Sequence, residues 1–350
     1  MNMLLTIISL FLLQISCVTN NYFSALRSVK PALQNQTQKD KFIKEVEKPI
    51  FHDEKEISID LFDDTQINAE VFRPSSAITP KQIVVIVPGS GNVSRFGEVN
   101  NDGLSTYDEP IKQSLLWAQA LVDKGLFVVA YDKRTCQKEH NEVCRTTSQK
   151  LINDSGIEVL SKDLDSVCQM INTKLSKTDY DITLLSFSQG AQTIALSQCL
   201  HKAKKVVLVS PIMKDLESSW VDGLNAASVD NRWEYKKNQL INEAQSTKAF
   251  FTSLKKGDFP PSATIRGASV AFWQSWMKAA SQTIDLYKKS QNNFLILAAN
   301  NDPFLNYSVK NIANFTFSAI NDVDRNMIKS KELSQDAFNK VYNFIISKPQ

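Results

Sequence analysis

Apolar positions along the chain fall into two alternating patterns. Residues 83–87 read Ile-Val-Val-Ile-Val, a continuous β-branched run of the kind a strand buried on both faces requires. Similar short runs occupy 126–131, 181–185, 206–209, 294–298 and 315–320. Ahead of them, 57–61 and 67–72 form a strand pair joined by the turn residues Asp63-Asp64-Thr65-Gln66. Between the runs the spacing changes to that of a helix. Ile111, Leu115, Ala118 and Val122 share one face, stopped by Lys124-Gly125. Ile157, Leu160, Leu164, Val167, Ile171 and Leu175 make a second stripe, and Phe338, Val341 and Ile345 a third within 335–347. Strands alternating with helices predict an α/β fold: a mostly parallel sheet flanked by helices on both faces.

The alternation breaks over 212–293. That section is helical, with Val270, Trp273, Met277, Ala280, Ile284 and Tyr287 on one stripe. It holds Trp220, Trp233, Trp273 and Trp276, four of the five tryptophans in the chain. It reads as a helical cap inserted over the C-terminal edge of the sheet, before the strand at 294–298. The sheet-and-helix core is then 51–211 and 294–350. An aromatic cap fits an apolar acyl or alcohol group on a ligand, and packing of cap against core explains the same residues.

The N-terminal end has a different character. Residues 3–13 are apolar, too short a run to span a bilayer, and Gln14-Ile15-Ser16-Cys17 follows. Segment 1–17 reads as an export signal and 18–50 as a polar tether. Ser16-Cys17 resembles the end of a bacterial lipobox, which makes Cys17 a candidate lipidation site and membrane attachment point. Ordinary cleavage near Cys17 and an uncleaved anchor are the alternatives. The expected location is extracytoplasmic, in the periplasm or cell envelope. Five cysteines are present, and without Cys17 an even set remains: Cys136, Cys144, Cys168 and Cys199. An exported chain permits disulfides among them in three connectivities, with buried free thiols as the alternative for Cys168 and Cys199. A hydrophobic content of 43% supports a substantial core, and a net charge of +3 is too mild to point to nucleic acid. No Cys or His spacing resembles a metal site, and nothing calls for a cofactor.

The chemistry centres on Ser186-Phe187-Ser188-Gln189-Gly190. A buried strand runs into this turn and a helix begins with Ala191-Gln192-Thr193-Ile194. Strand, sharp turn and helix form the context of a nucleophile elbow, with Ser188 at the tip. Small residues are needed two places either side of the nucleophile, and Ser186 and Gly190 meet that need. Acyl transfer also needs donors for a developing oxyanion. The amide of Gln189 is one candidate. The amide of Ser90, in Pro88-Gly89-Ser90-Gly91 after the 83–87 strand, is the other.

The segment Val87-Pro88-Gly89-Ser90-Gly91-Asn92-Val93-Ser94-Arg95 and the strand end Tyr131-Asp132-Lys133-Arg134 resemble bacterial α/β-hydrolases of the esterase and serine-aminopeptidase-like group. The resemblance runs from about 55 to 345. It implies an α/β-hydrolase fold, a small-molecule acyl substrate and a Ser, Asp and His triad. Asp302, after the 294–298 strand, takes the place of the acid, while Asp132 reads as structural. The histidine does not follow. The chain has only His52, His140 and His201, and Arg325 stands at or beside the expected place after the last strand. Arginine stays protonated and cannot act as a base. His140, on the loop after the 126–131 strand, is a weak substitute. Two readings therefore stand: an exported serine hydrolase of ester or related acyl bonds, or a catalytically inactive member of the fold that binds ligands or acts as a scaffold.

Overall fold

The apolar runs pair into one sheet. A computed structural model describes residues 55–74, 82–99, 111–139, 143–146, 149–175, 180–300, 302, 312 and 314–347. The export segment with Cys17, the tether, His52 and His140 lie outside the described residues. The sheet strands are β1 (Lys55–Asp60), β2 (Gln66–Phe72), β3 (Gln82–Val87), β4 (Phe127–Tyr131), β5 (Asp181–Phe187), β6 (Ala203–Val209), β7 (Asn293–Ala299) and β8 (Phe315–Ile320). Their order across the eight-stranded sheet is β1-β2-β4-β3-β5-β6-β7-β8. β1 and β2 form an antiparallel hairpin, β2 joins β4 antiparallel, and every later pairing is parallel. Parallel neighbours need crossover connections, and the helical stripes supply them.

Helices cover both faces. On one face, α2 (Ile157–Met170), α3 (Gly190–Leu196) and the end of α6 (Val270–Lys289) bury Leu164, Val167, Ile194 and Tyr287 against the sheet. On the other, α1 (Gln113–Val122) and α7 (Gln335–Ile346) bury Trp117, Leu121, Phe338 and Val341. Each such side chain contributes about 1.5–3 kcal/mol by leaving water. α1 departs from its predicted stripe. Trp117 and Leu121 are fully buried, whereas Leu115 is only half-buried, because the helix starts at Gln113 and Ile111 pairs instead in a short strand with Val99.

β6 begins three residues before the predicted run, at Ala203. The early residues hid it, since Lys204 and Lys205 look like a loop. Lys205 is nonetheless buried. Its ammonium donates to the carbonyls of Phe344 at 2.7 Å and Ile345 at 2.8 Å, and to that of Ser347, closing the end of α7. A cation on the last carbonyls of a helix satisfies groups that the helix itself cannot.

Between β6 and β7 lie α4 (Leu216–Ser228), α5 (Lys237–Lys256) and α6. Their aromatic side chains mostly meet one another. Trp273 stacks on Trp276 at 5.6 Å and meets Trp220 edge-on at 5.5 Å. Phe250 and Phe251 complete the cluster, and Trp273 and Trp276 are buried in it. α6 serves both groups, since Tyr287 near its end packs on Phe294 of β7 at 4.8 Å.

The four cysteines pair as Cys136–Cys144 and Cys168–Cys199. The first closes the hairpin Gln137–Glu139 with Val143–Thr146. The second ties α2 to the short helix Cys199–Lys202 inside the core.

Candidate active site

β5 delivers its chain directly into the elbow. Ser188 has φ +46°, a left-handed conformation that L-residues adopt only under constraint. The constraint is visible in the neighbours. The amide of Ser188 donates to the carbonyl of Val209 on β6 at 3.0 Å. A Cβ on Gly190 would lie 2.9 Å from the carbonyl oxygens of both Val87 and Pro88, so only glycine lets α3 come this close to β3. Ser186, the small residue two places before the tip, sits 3.0 Å from that same point. Ser188 is partly exposed, and its Oγ makes no hydrogen bond to the described residues.

The loop after β3 lies against the elbow. A Cβ on Gly89 would stand 3.1 Å from the carbonyl oxygen of Phe187. Neither the amide of Ser90 nor that of Gln189 donates a hydrogen bond to the described residues. Ser90 is exposed to solvent, while Gln189 is buried. An unbonded amide on a residue as buried as Gln189 is unusual, because a buried amide ordinarily finds a partner, while the Ser90 amide is open to solvent or a ligand.

The strand ends next to the elbow continue the ladder. Ser210, also at φ +46°, donates its amide to Leu297 of β7 at 2.7 Å, and Asn300 donates to Ile320 of β8 at 2.8 Å. These bonds bring Asp302 and Arg325 to the same end of the sheet as Ser188. Arg325 Nε lies 3.6 Å from Asp302 Oδ2, and its guanidinium donates to the carbonyl of Ser210 at 3.3 Å. Ser210 Oγ in turn donates to the carbonyl of Arg325 at 2.7 Å. Asp302 is 3% exposed, so its carboxylate gains from a cation this close. His201 lies elsewhere. It is exposed on the helix before β6, at the opposite end of the strands, roughly 20 Å away at about 3.3 Å per strand residue.

Asp132-Lys133-Arg134 at the end of β4 does far more than its spacing predicted. Asp132 accepts from the amide of Arg95 at 2.7 Å and from its guanidinium at 2.8 Å. Arg95 also pairs with Glu70 at 3.0 Å and Glu56 at 3.1 Å, so the loop after β3 is anchored to β1, β2 and β4. Asp132 is structural, as its position implied. Lys133 donates from Nζ to the carbonyl of Gly89 at 3.0 Å and to Gln189 Oε1 at 2.7 Å. An ammonium only donates, so the oxygen of the Gln189 amide must face it. Burial lowers the Lys133 pKa to about 7. Arg134 donates to both oxygens of Asp163 on α2 and to Asp63 in the β1–β2 turn at 2.7 Å. Burial opposes its charge, but the two carboxylates outweigh that and hold its pKa above the ordinary value. Sequence reasoning missed Lys133 and Arg134. The available signal was three consecutive charged residues directly after a buried strand, a place where charges need partners.

No protein-family model and no curated protein matches the chain. Solved structures do. Est1E from Butyrivibrio proteoclasticus with ferulic acid bound aligns with a TM-score of 0.55 at 14% identity, over 83% of this chain and 100% of that one. A highly thermostable carboxyl esterase from Bacillus coagulans aligns at 0.54 and 12% identity, over 84% and 98%. A proline iminopeptidase from Mycobacterium smegmatis aligns at 0.53 and 13%, over 83% and 97%. At such identities the likeness is one of fold.

Proposed function

We propose, on the α/β-hydrolase fold that the chain shares with these structures, that it is a serine hydrolase of ester or related acyl bonds. The observation that carries the reading is Ser188, held at φ +46° on the elbow beside two unbonded amides. Left-handed backbone at a serine costs about 1–3 kcal/mol, which is best understood where the strain serves a site. Ser188 Oγ attacks the substrate carbonyl carbon. The carbonyl electrons move to oxygen, and the amides of Ser90 and Gln189 hold the oxyanion. Collapse expels the alcohol, which takes a proton, and water then releases the acid from the acyl-serine. Ester-cleaving neighbours such as the Bacillus coagulans carboxyl esterase favour an ester substrate.

Removal of the Ser188 proton is where this chain departs from a complete triad. On this reading Arg325, 3.6 Å from Asp302, stands at or beside the place of the base and holds its own protons. It stabilises negative charge without accepting a proton. Unless His140 reaches the site, turnover depends on hydroxide and rises with pH. The Arg325–Asp302 pair favours a second reading: ligand binding in a preformed oxyanion pocket without turnover.

One experiment separates the two. The purified protein and Ser188→Ala are treated with a fluorophosphonate probe and assayed on short p-nitrophenyl esters. Labelling and turnover confined to the wild type support the hydrolase. No labelling and no turnover above the Ser188→Ala background sinks it and leaves the binding reading. Where turnover is found, its loss in His140→Ala identifies His140 as the base. The export segment and the two disulfides support a place outside the cytoplasm, with Cys17 as a lipid anchor. Globomycin-sensitive processing and release from membranes in Cys17→Ala are the expected signs, and a soluble, normally processed wild type refutes the anchor.

A further inference from the structure

A lysine ammonium inside a protein ordinarily finds a carboxylate. Lys133 is 5% exposed and, among the described residues, its Nζ bonds only to two neutral oxygens. Such a cation is costly to bury, so its two contacts are informative. One is the carbonyl of Gly89 at 3.0 Å, and the other is Oε1 of Gln189 at 2.7 Å.

The carbonyl of Gly89 and the amide of Ser90 belong to the same peptide group. That group is planar and trans, so its C=O and N–H point in opposite directions. Holding the Gly89 oxygen on one side therefore aims the Ser90 N–H to the other. Glycine at this position leaves the peptide few side-chain constraints, and a Cβ there would crowd the carbonyl oxygen of Phe187 at 3.1 Å. Something outside the turn has to select the orientation. Lys133 also polarises the peptide, which strengthens the Ser90 N–H as a donor. Its second bond fixes the Gln189 side chain and with it the residue whose amide is the other free donor.

We infer that Lys133 is a positioning residue that sets both halves of the oxyanion hole at once, by clamping the Gly89–Ser90 peptide and the Gln189 side chain to the end of β4. The inference rests on the hydrolase reading for its catalytic consequence and on the two hydrogen bonds for its structural one. Lys133 makes no hydrogen bond to Ser188 Oγ. Its effect passes through the two amides, whose help is greatest when negative charge is on the substrate oxygen.

The experiment compares Lys133→Met with Lys205→Met. Both remove a buried ammonium that bonds to neutral oxygens, but Lys205 lies at the far end of the sheet under α7. On p-nitrophenyl esters, Lys133→Met is expected to lower kcat about 10- to 100-fold with KM within about twofold, the mark of support lost in the transition state. Lys205→Met is expected to lower thermal stability and leave kcat near the wild-type value. Equal losses of kcat in both, or a raised KM with kcat unchanged in Lys133→Met, overturn the inference. Lys133→Gln, which keeps donors on a shorter arm, replaces Lys133→Met if that variant does not fold. If the wild type neither turns over nor labels, the hydrolase reading fails alone, and amide hydrogen exchange decides the clamp. Faster exchange at both 88–92 and 188–190 in Lys133→Met, absent in Lys205→Met, supports it, and unchanged exchange refutes it.

Discussion

Arg325 shows how much one side chain decides at this site. It follows β8, and its Nε lies 3.6 Å from Asp302 Oδ2. Its position was legible from the order of elements, because the loop after β8 is short and local. A salt bridge to Asp302 was also open to sequence reasoning, whereas the bonds with Ser210 were not, since Ser210 is remote in sequence. An arginine here cannot take the Ser188 proton, whereas an imidazole beside a buried carboxylate can. Arg325→His is therefore expected to raise p-nitrophenyl acetate hydrolysis about 100-fold, the usual scale of general-base help, with activity rising through a pKa near 6.5. A pH–rate series on both proteins checks this. An unchanged rate in a folded Arg325→His would mean that Ser188 is not aimed at that position.

At the scale of elements, charged residues at strand ends do the joining. β4 ends in three such residues, and each reaches a different part of the fold: Asp132 the loop after β3, Lys133 the elbow, and Arg134 α2 and the β1–β2 turn. Asp163 and Arg134 are each buried to 3% exposure or less. Asp163→Asn removes the buried partner of Arg134 and leaves it only Asp63 in the β1–β2 turn, so it should cost about 1.5–3 kcal/mol, read as a lowered urea midpoint. Replacing both with apolar residues, Arg134→Met with Asp163→Leu, is expected to recover most of that loss. If the double variant is as weak as the single one, the lost partner of the buried guanidinium is not the cause. The apolar runs announced β4 and α2 themselves. Nothing in the runs announced the links between them, because burial pattern reports on one element at a time.

For the whole molecule, the disulfides and the inserted helices set how the parts are held. Cys168–Cys199 closes a loop of 31 residues and Cys136–Cys144 one of 8. By the chain-entropy model these contribute about 3.7 and about 2.5 kcal/mol. Removing the first with paired serines is expected to lower the melting temperature more than removing the second, and thermal unfolding of the two double variants tests the order. The aromatic side chains between β6 and β7 are spent largely on one another, with Trp273 stacked on Trp276. α6 is joined to α3 through Tyr287, whose hydroxyl donates to the carbonyl of Ala191 at 2.5 Å, and through Trp276, which donates to Gln192 at 3.4 Å. The inserted helices are thereby coupled to the helix that follows Ser188.

By itself the sequence determined what depends on near neighbours. Apolar runs and helical stripes set the order of strands and helices, and Ser186 and Gly190 around Ser188 set the elbow, since both follow from local backbone sterics and burial. Tertiary structure alone decided how the charges at the end of β4 find their partners. It joined Arg134 to Asp163 and Asp63 and carried Lys133 across the sheet to Gly89 and Gln189. Such choices depend on strand order and crossover geometry, which bring residues tens of positions apart within 3 Å or so, and no local pattern records that.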